Sequence, residues 1–65
     1  MKIVVNGEKV EVTATRLDAI LVELGHGKAK VATALNEEFV PATMRADTSL
    51  EAGDRLEIVA PRQGG

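Results

Sequence analysis

No cysteine occurs among the 65 residues, which removes disulfides, thiolate zinc sites, iron–sulfur clusters and cysteine nucleophiles together. Tryptophan and tyrosine are also missing, and Phe39 is the single aromatic residue. A base-stacking platform for nucleic acid needs several. Eight basic and ten acidic residues are spread along the chain for a net charge of −2, so there is no electrostatic footprint for a phosphate backbone. No nucleic-acid partner is expected. No apolar run approaches the roughly 20 residues of a membrane span, and the stretch from Met1 to Gly7 has no signal-peptide core. No membrane association and a cytoplasmic location are therefore expected. Length sets a last exclusion: a chain of this size buries only about 60% of the surface its unfolded form exposes. That is one small core, with no room for a deep, enclosed active site.

What is present is 45% hydrophobic and 28% charged residues, the balance of a soluble globular domain. Ile3-Val4-Val5 and Val10-Glu11-Val12 are β-branched runs separated by Asn6-Gly7, the dipeptide that supplies the positive φ angles of a type I′ hairpin turn. Alternation places Ile3, Val5, Val10 and Val12 toward the core, with Lys2, Lys9 and Glu11 toward solvent and Val4 left on the outward phase. From Thr15 the period changes, and Leu17, Ile20, Leu21 and Leu24 fall at the spacing of an amphipathic helix. Thr15 and Asp18 read as a capping box at its start, and Gly25 as the left-handed residue that stops it. Val31 to Leu35 reads as a strand whose buried face the pattern leaves open. Asn36-Glu37-Glu38 is a turn, Phe39-Val40 a very short strand ended by Pro41, and Ala42 to Asp47 a helical turn. After a tight turn at Glu51 to Asp54, Arg55 to Ala60 alternates with Leu56, Ile58 and Ala60 inward and Val59 outward.

This order needs one helix to cover one face of a sheet, a two-layer α+β domain. The long return allows the last strand to lie parallel to the first at the sheet centre. That is the β-grasp arrangement of ubiquitin, with residues 1–60 forming the domain and 61–65 a flexible tail. Leu17, Ile20, Leu21 and Leu24 are expected to pack on Ile3, Val5, Leu56 and Ile58.

Catalytic constellations are nearly absent. His26, the one histidine, reads as a solvated loop residue, because neither a metal site nor a triad finds partners at usable spacing. Glu37 and Glu38 point apart in an extended turn and read as a solvated pair. Gly25 and Gly27 follow a helix where a dinucleotide fingerprint would precede one. The informative stretch is Pro61-Arg62-Gln63-Gly64-Gly65. A frayed terminus is the plain reading. The sharper one makes the Gly65 carboxylate the reactive group: five extended residues reach about 17 Å, and glycine accepts whatever φ and ψ a narrow partner channel imposes. A carboxylate resists nucleophiles because oxide leaves poorly. ATP can convert such a group to an acyl-adenylate from which AMP departs, and on that reading Gly65 is expected to be a substrate and not a catalyst.

Four stretches carry a family resemblance: Val4 to Glu8, Val31 to Pro41, Leu50 to Ile58, and Gln63-Gly64-Gly65. The most specific is the Asn-x-Glu-x-Val-Pro pattern from Asn36 to Pro41. On these residues the whole chain resembles the ThiS family, sulfur carriers of bacterial thiamine biosynthesis in the superfamily of ubiquitin and the small subunit of molybdopterin synthase. Glu37 stands where the pattern has glycine. Ala42 stands where it has a basic residue, with Arg45 the nearest arginine. The resemblance implies that a ThiF-like adenylating enzyme activates Gly65 with Mg-ATP, that a persulfide donor supplies sulfur for a thiocarboxylate, and that a ThiG-like thiazole synthase receives it. Gly64 and Gln63 then form the flexible approach to Gly65, and no cofactor is bound by the carrier itself. Val4 and Val59, apolar at outward phases, are the expected docking residues. A molybdopterin-type carrier, a non-covalent β-grasp regulatory module and conjugation to lysine side chains remain as alternatives.

Overall fold

The hairpin at the start follows from its turn. In the computed structural model, which describes residues 1–60, Asn6 and Gly7 take φ of +50° and +87°. They fold β1 (Lys2–Val5) back onto β2 (Glu8–Glu11) with Ile3 opposite Val10 and Val5 opposite Glu8. A second hairpin joins β3 (Ala32–Leu35) to β4 (Glu38–Val40) with Leu35 opposite Glu38. Its two turn residues, Asn36 and Glu37, also have positive φ, +50° and +73°. The same turn geometry is thus built once with glycine in its second position and once without. The 3₁₀ helix Ala42–Asp47 follows Pro41, and β5 (Arg55–Val59) closes the order. The flexible tail expected over 61–65 lies outside the described residues.

The sheet runs β2-β1-β5-β3-β4. β5 is central, parallel to β1 through Val4–Arg55 and Val5–Leu56, and antiparallel to β3 from Ala32–Val59 to Leu35–Leu56. Helix α1 (Leu17–Glu23) covers one face. This is the expected mixed β-grasp sheet with its last strand beside its first. The buried set is Ile3, Val12, Leu17, Ile20, Leu21, Val40, Leu50, Leu56 and Ile58, with Val5 and Leu24 only partly buried at its margin. Ala60, expected inward, is exposed and lies past the end of β5. The open question of β3 is settled by Thr33, which is 1% exposed: Val31, Thr33 and Leu35 turn to the core, and Ala32 and Ala34 to the other side.

The helix starts at Leu17, the first residue of its apolar stripe and one position later than a cap at Thr15 implies, and no side chain caps it. The capping box of Thr15 and Asp18 does not form, because the backbone before the helix is engaged in strand-like bonding. The Leu50 amide donates to the Thr15 carbonyl (2.8 Å), the Leu17 amide to the Thr48 carbonyl (2.9 Å), and Arg16 bridges Ser49. Asp18 instead accepts from the Ala19 amide at 2.8 Å, still at the positive end of the helix. The other end behaves as read. Gly25, at φ +90°, donates to the Val22 carbonyl while the His26 amide reaches the Leu21 carbonyl at 2.7 Å, the paired bonds of a Schellman motif.

Candidate functional site

The central strand is held from both sides by asparagines of the hairpin turns. β1 turns away at Asn6, which leaves the β1-facing amide and carbonyl of Ile58 without a neighbouring backbone. The Asn6 side chain replaces it: Nδ2 donates to the Ile58 carbonyl at 3.1 Å and Oδ1 accepts from the Ile58 amide at 2.8 Å. From the opposite side, Asn36 Oδ1 accepts the Arg55 amide at 3.0 Å while the Asn36 amide donates to the Arg55 carbonyl at 2.8 Å. Nδ2 of Asn36 reaches Asp54 Oδ1 at 3.3 Å. Both clasps fix the strand that leads into Ala60 and the Gly-Gly segment.

The face of the sheet away from α1 carries the exposed apolar residues of this region. Phe39 on β4 lies opposite Ala34 on β3, and Ala32 lies opposite Val59 on β5. Phe39 is 69% and Val59 61% exposed, and together with Ala32, Ala34 and Glu57 they border one shallow depression. Val59 is the last residue of β5, so this patch adjoins the point where the chain leaves the sheet. Val4 is on the same face but half-buried. It pairs with Arg55, four positions back along β5 or about 13 Å at strand rise, in a separate hollow with Asn6, Gly7 and Glu37. Val4 and Val59 therefore share a face but border different hollows, which meet at Glu57, and the large apolar residue that borders the same hollow as Val59 is Phe39. Its exposure was hidden in the sequence because a three-residue strand gives too short an alternation to read.

Two further side chains organise the margins. Arg45 on the 3₁₀ helix donates from its guanidinium to the Val31 carbonyl (2.6 Å) and from Nε to Thr33 Oγ1 (3.2 Å), while Thr33 donates to the Val40 carbonyl (2.8 Å). The arginine is thus engaged in holding β3. Glu23, in the last turn of α1, accepts from the amides of Thr13 and Ala14, each at 2.9 Å, and from the Thr13 hydroxyl. Those bonds, from Ala14 first and then Thr13, hold its carboxyl below the usual glutamate range. His26 is half-buried beside Asp18, Val22 and Arg45. Among the described residues no three of His, Asp and Glu cluster closely enough to hold a metal ion, and no helix is long and apolar enough to cross a membrane. Gln63, Gly64 and Gly65 lie outside the described residues.

Comparison with known proteins sets this geometry in context. A model of the ThiS family matches residues 3–65. The crystal structure of a thiamine biosynthesis protein (ThiS) from Geobacter metallireducens is similar at a TM-score of 0.85 and 26% identity, with 100% of both chains covered. A solution NMR structure of a thiamine biosynthesis protein from the same organism gives 0.79 and 25%, covering 100% of this chain and 88% of that one. A thiazole synthase of Paramagnetospirillum magneticum is 44% identical over 66 residues, a match that takes in 100% of this chain but spans only 20% of that protein's length.

Proposed function

The chain belongs to the ThiS family, and on that premise we propose that it is a sulfur carrier for thiazole formation in which the Gly65 carboxylate is the group that reacts. The observation that carries this reading is that the family match runs through residue 65 and so includes Gly64 and Gly65. In the proposed sequence a ThiF-like adenylating enzyme uses Mg-ATP to turn the carboxylate into an acyl-adenylate, releasing pyrophosphate. The terminal sulfur of a persulfide donor then bonds to the acyl carbon as AMP leaves, giving an acyl disulfide. A thiol cleaves its S–S bond, leaving the thiocarboxylate on the carrier and a disulfide on the donor. The resulting thiocarboxylate delivers sulfur to a thiazole synthase. The match to a thiazole synthase supports this pathway over the molybdopterin alternative.

The carrier's own part is positional. The asparagine-clasped strand ends at Val59, within the apolar patch it forms with Phe39, and that patch and Val4 lie on the proposed docking face. Apolar area there excludes water around the entering tail, and glycine at positions 64 and 65 keeps the approach narrow. Removing Gly65 withdraws the carboxylate by one residue, about 3.3–3.6 Å, more than reacting groups tolerate. The truncated chain is expected to unfold at the same denaturant concentration as the full chain and to form no adenylate with the cognate enzyme and Mg-ATP. Adenylation of the truncated chain at the full-length rate would sink the proposal and favour a regulatory module.

A further inference from the structure

Asn6 and Asn36 occupy the same position of the same turn type, with the same φ of +50°, and both clasp β5. They differ in the residue that follows: Gly7 in one hairpin and Glu37 in the other. That difference is chemical as well as conformational. The backbone nitrogen after an asparagine can attack the side-chain carbonyl carbon, and a following residue without Cβ leaves the approach open. Nothing lies within 4 Å of the place a Cβ would occupy on Gly7, and both turn residues are exposed, so water reaches the site.

We propose that Asn6–Gly7 is a latent deamidation site, held unreactive by the two hydrogen bonds between the Asn6 amide and the backbone of Ile58. In the reaction the Gly7 nitrogen loses its proton and bonds to Asn6 Cγ, and Nδ2 departs as ammonia. The cyclic imide is then opened by one water at either carbonyl, leaving aspartate or isoaspartate at position 6. No oxidant or cofactor takes part. With Oδ1 held at 2.8 Å and Nδ2 at 3.1 Å from Ile58, the amide plane is fixed against β5 and Cγ is kept from turning to Gly7. Reaction therefore requires the clasp to open. The product cannot restore it: a carboxylate has no donor for the Ile58 carbonyl, and isoaspartate inserts an extra carbon into the two-residue turn. Each event is a permanent record that the end of the central strand has come loose, one residue from Val59.

The test incubates the full chain at neutral pH, folded in buffer and unfolded in guanidinium chloride, and follows peptides containing Asn6 and Asn36 by mass spectrometry. In the unfolded chain Asn6 should gain the mass of OH over NH2 at least about tenfold faster than Asn36. Folding should slow Asn6 by at least about tenfold, the factor that an opening free energy of about 1.4 kcal/mol gives. In unfolded Gly7→Ala, reaction at Asn6 should fall to the rate at Asn36. Equal rates at Asn6 in the folded and unfolded chains would overturn the protective role of the clasp. Equal rates at Asn6 and Asn36 in the unfolded chain would overturn the role of Gly7.

Discussion

Glu37 adopts φ +73°, a left-handed conformation that costs a residue with a side chain about 1–2 kcal/mol. Its contact with Arg55, 3.7 Å between exposed groups, returns little. Glu37→Gly is therefore expected to stabilise the fold by about 0.5–1 kcal/mol after the extra chain entropy of glycine, read as a higher denaturant midpoint at unchanged slope. A second residue-scale test uses pH. The native carboxyl of Glu23 lies below the ordinary 4.5 because the Ala14 and Thr13 amides favour its charged form, and the carboxyl of Glu11 is likewise lowered, first by its hydrogen bond to the Met1 amino group. A depressed native value makes the contribution fully present above about 4.5 and lost as pH falls through the native value. Denaturation midpoints measured from neutral to acid pH should drop below that point, and Glu23→Gln should flatten part of the drop. The turn at Asn6-Gly7 was legible because its chemistry is local. The partners of Asn6, Arg45 and Glu23 lie 52, 12 to 14, and 9 to 10 residues away, and no local pattern announces them.

At the scale of elements, the helix shows both what periodicity carries and where it stops. Leu17, Ile20 and Leu21 are buried because a 3.6-residue stripe needs an apolar surface opposite, and the stripe is visible in sequence. The cap moves from Thr15 to Arg16 because Thr15 and Arg16 bond to residues 48–50, a tertiary competitor that outweighs local capping. In β3 the alternation of Ala32, Thr33 and Ala34 gave no preferred face, and the face was settled by Thr33 finding Val40 and Arg45 as partners. Leu21, 4% exposed, supports the helix assignment directly. Leu21→Ala is expected to cost about 2–5 kcal/mol by leaving a cavity. A change under about 0.5 kcal/mol, the usual surface value, would mean that the helix presents a different face to the sheet.

For the whole molecule, the topology was readable from element order because a parallel return to the first strand needs a long connection, and the chain has one. The composition of the candidate docking face was only half readable: Val59 stood out by phase, whereas Phe39 was concealed in a strand too short to alternate. Phe39→Glu and Val59→Glu should leave the thermal midpoint nearly unchanged, since both residues are largely exposed, and weaken association with the adenylating enzyme. Val4→Glu, half-buried and in a separate hollow, should lower stability as well. Equal binding by the Phe39 and Val59 variants and the unaltered chain would remove the patch from the mechanism. The carrier chemistry itself is tested most directly by intact mass after incubation with the cognate adenylating enzyme, Mg-ATP, a persulfide donor and a thiol reductant. The expected result is one oxygen replaced by one sulfur, located by fragmentation on Gly65. An unchanged mass at Gly65, with the enzyme active on a known carrier under the same conditions, would contradict it.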